Sequence, residues 1–162
     1  MARQLWAFLG AGAAVVALDQ ASKEAVRSLM EVGQYFPGPR WPLRLHYVTN
    51  TGAAFGILQD QTAFLALTSL IGIGAILFYF WRQRGGLIES VALGMMIGGA
   101  IGNLVDRVRL GEVVDFLSFP HYPSFNVADM SIVLALTVLI GTALLGRRPK
   151  EDTQPVHEAD RD

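Results

Sequence analysis

Cysteine is absent from the 162-residue chain, and charged residues make up only 17% of it. The absence of cysteine excludes thiol catalysis, disulfide bonds and cysteine metal sites. The three histidines, His46, His121 and His157, show no metal-ligand spacing, so we expect neither a metal ion nor a cofactor. A net charge of −1 gives no indication of nucleic-acid binding, and none is expected.

Apolar residues take the place of the missing charge. They account for 52% of the chain, and its mean hydropathy is +0.37. Four apolar runs approach the ~20 residues that cross a ~30 Å hydrocarbon core. They cover residues 5–18 (with helix continuing to about 29), 62–81, 87–105 and 127–146. The sequence therefore predicts an all-α membrane protein with four transmembrane helices, which the 17 glycines would allow to pack closely.

The first apolar run is short, and a removable signal peptide is the alternative interpretation. The segment before it contains a single arginine, Arg3, and no clean small-x-small cleavage site follows it. The next residues, "DQASKEAV", continue at helical spacing. These features favour a first helix that remains part of the protein.

Residues 1–146 are predicted to form one membrane domain with an extracytoplasmic insert at about 31–58. Partial alternation in "LRLHYV" predicts a short strand there, so we expect a small β element between helices 1 and 2. The polar segment 147–162 is predicted to be a disordered cytoplasmic tail. By the positive-inside rule both termini are cytoplasmic, although the bias is small. The basic residues on that side are Arg3, Arg82, Arg84, Arg147, Arg148 and Lys150.

This topology brings unusual polar residues from all four helices to one depth, near the outer leaflet. They are Asp19, Gln20 and Lys23 on helix 1, Asn50 with the adjoining "TGAAFG" before helix 2, Asn103, Asp106 and Arg107 on helix 3, and Asn126 and Asp129 at the start of helix 4. Residues three or four apart on a helix share a face, which suggests a common site. For Asp19–Lys23 and Asp106–Arg107 we favour a structural role, as pairs that fix helix ends.

Two acids near this depth, Asp115 and Asp129, require a separate explanation. Asp129 lies at the third position of helix 4 behind the N-cap residue Asn126, where the helix dipole favours negative charge. Asp115 lies in "VVDF" without any cap motif. Two carboxylates a few Å apart share one proton, so one can activate water while the other polarises a carbonyl. This chemistry is aspartic proteolysis.

A serine mechanism is the alternative chemistry, with His121 serving Ser22, Ser118 or Ser124. It is disfavoured because the sequence contains no G-x-S-x-G motif. A small transporter or channel subunit and a membrane scaffold are the alternative classes of protein. An ion path needs polar groups through the depth of the membrane, whereas the middles of the second and fourth runs are apolar. A liposome flux assay and a peptide-cleavage assay would separate these classes.

Four sequence blocks resemble the signature blocks of the bacterial lipoprotein signal peptidase family, also called signal peptidase II. The blocks are "DQASK" (19–23), "NTGAAFG" (50–56), "GGAIGNLVDRVRLGEVVDF" (98–116) and "FNVAD" (125–129). They occur in the family's order, and the resemblance extends from about residue 5 to 146. The long third block is the most specific of the four.

The resemblance implies an intramembrane aspartic endopeptidase of the bacterial inner membrane. Its substrate would be a prolipoprotein bearing a diacylglyceryl cysteine, cleaved just before that cysteine. Membrane lipid and a cyclic peptide inhibitor of the globomycin type would be further partners. Asp115 and Asp129 match the family's catalytic pair. The residues that match supporting or substrate-binding positions are Asp19, Lys23, Asn50, Gly52, Asn103, Asp106, Arg107 and Asn126.

The surroundings of the two acids also predict which one carries the proton. The helix dipole and the cap favour the ionised form of Asp129. The apolar neighbours of Asp115, Val114 and Phe116, would raise its pKa by desolvation. We therefore expect Asp129 to be the base and Asp115 to start protonated.

Overall fold

The computed structural model describes residues 1–52, 57–82 and 85–145, which form four long helices and a three-stranded sheet. In chain order the elements are α1 (Ala2–Leu29), β1 (Tyr35–Phe36), β2 (Arg44–Asn50), α2 (Thr62–Arg82), α3 (Leu87–Leu110), β3 (Val113–Ser118) and α4 (Val127–Leu145). All four helices are long and apolar enough to cross a membrane. The predicted fold class, a four-helix membrane protein with a small β element, is confirmed.

Some predicted features lie outside the described residues. They are the tail at 147–162, residues 53–56 of the second sequence block, and Arg84.

Helix α3 lies at the centre of the helical body and packs against α1, α2 and α4. Glycines on its surface allow the neighbouring backbones to approach closely. A Cβ atom at Gly98 would lie 2.6 Å from the carbonyl oxygen of Gly12 on α1. On the α4 side, a Cβ at Gly99 would lie 2.5 Å from the carbonyl oxygen of Ala128. The helices are therefore positioned by backbone contact, which leaves little freedom to shift.

An aromatic and aliphatic cluster fills the space between α1, α2 and α3. Phe8, Leu93 and Ile97 are its buried members, and Ile73 and Ile76 of α2 pack against them. The ring of Phe8 also stacks on that of Phe80, with 4.2 Å between the ring centroids. This cluster joins α2, whose surface is otherwise largely exposed in the monomer, to the rest of the bundle.

The sheet is antiparallel, with the strand order β1-β2-β3. Its third strand was not predicted from the sequence. The sequence predicted strand structure only between helices 1 and 2, whereas β3 lies between α3 and α4. Nearly every residue of β3 is buried, so its sequence "VVDFLS" shows no apolar alternation. Such a short apolar run cannot be assigned to a strand by periodicity alone.

The two faces of the sheet have different environments. Tyr47 of β2 and Val114 and Phe116 of β3 form a buried cluster with Val26 of α1. This contact fixes the sheet to the end of α1. Asp115 lies between the two clustered residues of β3, so its side chain points to the opposite face.

A tight helix end brings β3 close to α3. Gly111 adopts a left-handed conformation with φ of 79°, and its N–H donates to the Arg107 carbonyl oxygen at 3.1 Å. A glycine in this conformation commonly ends a helix. Strand β3 begins two residues later, so Asp115 follows the last turn of α3 closely.

Replacing Gly98 with alanine tests the close packing of α1 and α3. Because the added methyl group meets a backbone carbonyl, we expect overpacking to cost about 1–3 kcal/mol of stability. Thermal unfolding in a single detergent would measure the change. Gly72→Ala is the matched control, since a Cβ there meets nothing within 4 Å. An equal unfolding temperature for the two variants would contradict the packing.

Candidate active site

Asn126 initiates α4 and lies between the two acids. Its side-chain oxygen accepts a hydrogen bond from the backbone N–H of Asp129 at 2.9 Å. The backbone N–H of Asn126 donates to the Asp129 carboxylate at 3.3 Å. These reciprocal bonds form the predicted cap. The Asn126 side-chain amide also donates to the Asp115 carboxylate at 2.7 Å. One fully buried residue therefore contacts both carboxylates.

A second asparagine, Asn103 of α3, holds Asp129 from the other side. Its side-chain amide donates to the Asp129 carboxylate at 2.7 Å. Its oxygen accepts from Asn126 at 3.0 Å and from the Lys23 ammonium, also at 3.0 Å. The two asparagines thus form a continuous hydrogen-bonded unit that connects the acids to the interior of the bundle.

Asp115 is held by asparagine amides. Asn50 of β2 donates to one carboxylate oxygen at 3.1 Å, and Asn126 donates to the other. Burial raises the pKa of Asp115 to about 7, and the charge of Asp129 acts in the same direction. The two amide bonds oppose this rise. The predicted direction of the pKa change agrees, and the carboxyl can gain or lose a proton near neutral pH.

Lys23 lies beneath the two asparagines and is almost completely buried, with 2% of its surface exposed. Its ammonium group is 2.8 Å from the Asp19 carboxylate and 2.9 Å from that of Asp106. It also donates to Asn103. All three ammonium hydrogens therefore have an acceptor, as a buried cation requires.

The two partners of Lys23 each hold another element in place. The second carboxylate oxygen of Asp19 accepts from the Ala128 N–H at 2.9 Å, so it caps the first turn of α4. The Asp106 carboxylate accepts from the Val114 N–H at 3.2 Å and so fixes β3. The expected Asp19–Lys23 pair is present. Asp106 pairs with Lys23 and not with Arg107, because its side chain points towards α1.

Arg107 points into the region between α3 and the chain after β2. One of its terminal nitrogens donates to the Gly52 carbonyl oxygen at 3.3 Å. The Gly52 N–H donates to the Asn50 side chain at 2.9 Å. A Cβ at Gly52 would lie 2.7 Å from the Ile57 carbonyl oxygen, so a side chain there would displace this turn. These contacts hold Asn50 in position for its bond to Asp115.

A cavity of about 920 Å³ opens at the junction of the sheet with α3 and α4. Asp115 and Asp129 both line it, together with Asn50, Asn103 and Arg107. Other residues that line it are Tyr35, Arg44, His46, Ser124, Ile132 and Val133. The sequence prediction did not include Tyr35, Arg44 or His46. The alternation of "LRLHYV" was the available signal, since it places Arg44 and His46 on one face.

The serine alternative gains no support from the geometry. The Ser22 hydroxyl donates to a carbonyl of its own helix, Asp19, at 2.8 Å. The Ser124 hydroxyl lies 3.5 Å from a ring nitrogen of His46, which is a different histidine from the His121 that the alternative named. Within the described ranges, no three histidine or acidic side chains are grouped so as to hold a metal ion.

The four apolar helices are those of a multi-pass membrane protein, and the comparisons with known proteins agree. A solved structure described as a bacterial membrane enzyme superposes with a TM-score of 0.84 at 30% identity, and covers 91% of this chain and 93% of that one. A second structure with the same description has a TM-score of 0.78 at 32% identity, over 87% and 94% of the two chains.

Sequence relatives make the identification more specific. A lipoprotein signal peptidase of Halothermothrix orenii is 40% identical over 126 residues, which are 78% of this chain and 87% of that protein. Another, of Caldanaerobacter subterraneus, is 45% identical over 128 residues, 77% and 87% of the two. The family model described as Signal peptidase (SPase) II matches residues 11–145. The chain therefore belongs to the signal peptidase II family of peptidases.

Removing the ammonium group of Lys23 tests how the site is assembled. Lys23→Met would leave the carboxylates of Asp19 and Asp106 buried without a counter-charge, which we expect to cost about 3–5 kcal/mol. Activity should fall together with stability. Thermal unfolding and turnover of the same preparation would measure both.

Arg27→Met is the matched control, because Arg27 pairs with the exposed Glu24 on the same helix. An exposed pair contributes at most about 1 kcal/mol. If Lys23→Met kept full stability and lost activity, Lys23 would belong to the chemistry and not to the support of the site.

Proposed function

We propose that this protein is an intramembrane aspartic endopeptidase that removes the signal peptide from diacylglyceryl-modified prolipoproteins, cleaving before the lipid-modified cysteine. The observation that carries the proposal is the pair Asp115 and Asp129, which line one cavity and share contacts with Asn126. The names of the relatives support the substrate class, because they describe lipoprotein signal peptidases.

In the proposed first step, ionised Asp129 takes a proton from a water molecule. The water oxygen attacks the scissile carbonyl carbon, and protonated Asp115 donates its proton to the carbonyl oxygen. A neutral tetrahedral diol results. This division of roles follows general acid–base catalysis by a carboxyl pair that holds one proton.

In the second step the diol collapses and the carbon–nitrogen bond breaks. Asp129 returns its proton to the leaving nitrogen, while Asp115 regains a proton from a diol hydroxyl group. The products are the carboxyl end of the signal peptide and the free amino group of the lipid-modified cysteine. The enzyme finishes in its starting protonation state, so no further reactant is required.

The surroundings of the pair support this mechanism. Asn50, Asn103 and Asn126 donate hydrogen bonds without adding charge, so the carboxyls are oriented while their shared proton remains transferable. Since β3 carries Asp115 and the first turn of α4 carries Asp129, the reacting bond would lie where the membrane helices meet the sheet. A substrate whose apolar signal sequence remains in the membrane could present its cleavage site there.

The proposed setting is the bacterial inner membrane, with both termini cytoplasmic and the cavity near the outer leaflet. Lipid would surround the helices, and the polar segment 147–162 would lie in the cytoplasm. A cyclic peptide of the globomycin type would compete with substrate by occupying the cavity. Transport remains the less supported alternative, since the polar residues of the site are gathered at one end of the bundle.

Cleavage of a defined substrate by two single variants tests the proposal. Asp115→Asn and Asp129→Asn each remove one half of the acid–base pair. We therefore expect the turnover of each variant to fall by about a hundredfold to ten-thousandfold. The measurement is cleavage of a diacylglyceryl-modified prolipoprotein by purified protein in lipid. The same prolipoprotein without the lipid modification should remain uncut.

Asp60→Asn is the matched control, because Asp60 is an exposed acid on the outer side of α2. It should leave turnover unchanged. Near-normal turnover of either Asp115→Asn or Asp129→Asn in a folded protein would contradict the catalytic pair.

The raised pKa of Asp115 predicts a dependence on pH. Because the mechanism needs this carboxyl protonated, kcat/KM should fall as pH rises above about 7. The free energy of unfolding should also fall as pH rises. A carboxyl with a folded-state pKa above its usual 3.8 loses stabilisation progressively as pH rises from about 4 to 7, because the folded protein holds the proton more tightly.

Measuring unfolding temperature against pH separates this contribution from that of other groups. The Asp115→Asn variant should lose less stability than the unaltered protein between pH 4 and 7. Parallel curves for the two proteins would show that Asp115 ionises normally.

A further inference from the structure

We propose that Tyr35, Arg44 and His46 form a subsite for an acidic side chain in the mature part of the substrate. We call these three residues the sheet platform. The acidic residue would be the second to fourth of the mature chain, counting the lipid-modified cysteine as the first. This inference rests on the proposed function and adds a preference that the catalytic pair itself does not explain.

The position of the sheet platform follows from strand pairing. Val48 of β2 lies opposite Asp115, and His46 and Arg44 precede it by two and four residues. At ~3.3 Å per residue they lie roughly 7 and 13 Å along the strand from the level of Asp115. An irregularity between Leu45 and Val48 shortens this slightly. A substrate in extended conformation would cover the same distance with two to four residues.

The direction of the substrate follows from the two ends of the cavity. Ile132 and Val133 of α4 line one end, within a helix that is apolar enough to cross a membrane. The apolar signal sequence and the lipid chains fit that end. The sheet platform lines the other end, outside the membrane-spanning helices. The polar mature chain would therefore pass over the platform.

The sheet platform contains a cation, Arg44, that has no acidic partner among the described residues. One terminal nitrogen of Arg44 donates to the Pro39 and Trp41 carbonyl oxygens, which fixes the side chain. Its guanidinium carbon lies 5.3 Å from the centroid of the Tyr35 ring. Its Nε is buried and has no hydrogen-bond partner among the described residues. A buried N–H of this kind costs free energy until an acceptor arrives.

No acid among the described residues forms an ion pair with this cation. Within residues 1–52, 57–82 and 85–145, the ion pairs involve Lys23 and Arg27 and none involves Arg44. A carboxylate is the acceptor that matches guanidinium geometry best. An acidic side chain of the substrate would supply the missing negative charge next to the guanidinium.

His46 contributes a flat surface next to this cation. Its ring stacks on that of Tyr35, with 3.8 Å between centroids and 7° between planes. One of its ring nitrogens lies 3.5 Å from the Ser124 hydroxyl. Burial lowers the pKa of His46, and the charge of Arg44 lowers it further. Arg44 is therefore the positive charge of the sheet platform at neutral pH.

A phospholipid headgroup is the competing occupant, because it also carries a negative charge. The cavity favours the substrate, since the sheet platform and both acids line the same space. A lipid headgroup could reach Arg44 from the membrane without contacting the two acids. A bound substrate would extend along β2 from the level of Asp115 to Arg44.

The test uses two diacylglyceryl prolipopeptides that differ only at the third mature residue, aspartate in one and asparagine in the other. We expect the purified protein in phosphatidylcholine nanodiscs to favour aspartate in kcat/KM by roughly threefold to tenfold, as a partly exposed charge-assisted hydrogen bond implies. If the third residue shows no preference, the same pair is made at the second and fourth. Arg44→Gln should bring the ratio close to one.

Arg40→Gln is the matched control, because it removes an exposed charge of the same loop and should leave the ratio unchanged. Tyr35→Leu is a second variant, which keeps the loop bonds of Arg44 but removes the ring beneath it. Its ratio should fall between those of the unaltered protein and Arg44→Gln. The ratio compares two peptides that are cleaved by the same preparation. A partial loss of folded protein therefore lowers both rates equally and leaves the ratio unchanged.

Equal cleavage of aspartate and asparagine peptides at all three positions would overturn the inference and leave the proposed function intact. Failure to cleave any peptide would overturn the proposed function as well. If Arg44→Gln slowed both peptides equally, and only in nanodiscs containing phosphatidylglycerol, the sheet platform would be assigned to lipid headgroups, which also overturns the inference.

Discussion

The buried ammonium group of Lys23 is the interaction on which the geometry of the site depends. Burying a charge is costly unless it is paired, and here one cation compensates two carboxylates. Each carboxylate has a second function, since Asp19 caps α4 and Asp106 holds β3. The strand with Asp115 and the helix with Asp129 are thus located by a single charge. Close backbone packing around α3 keeps this arrangement rigid, because the helices cannot shift without steric overlap.

The two acids of the cavity are held in a different way from the acids around Lys23. Asparagine amides contact Asp115 and Asp129, and an amide orients a carboxyl group without fixing its charge. A lysine or arginine in direct contact would favour the ionised form and oppose the binding of a proton. The charge pairs of Lys23 therefore lie below the cavity, whereas the hydrogen bonds to Asp115 and Asp129 come from neutral amides. A carboxyl with a pKa near 7 is consistent with that separation.

The sequence was most informative where a local signal exists. Hydropathy located all four helices within a few residues, and the "NVAD" cap at Asn126 has the predicted bonds. Strand β3 was not predicted because a strand buried on both faces shows no alternation. The pairing of Asp106 with Lys23 joins residues on different helices, so spacing within one helix could not reveal it. Arg44 was not predicted as a cavity residue. Its buried Nε lacks a partner because of the way the preceding loop folds, and the sequence does not show that fold.

Asn126 also links the assembly of the protein to the readiness of its site. The bonds that begin α4 belong to the same side chain that orients Asp115, so neither acid is held correctly before the last helix is in place. Among the described residues, that helix follows the other three in the chain and is therefore made after them. A chain still leaving the ribosome, or one whose final segment has not entered the membrane, would therefore be an inert precursor. Completion of the bundle would then be the step at which the proposed site becomes able to act.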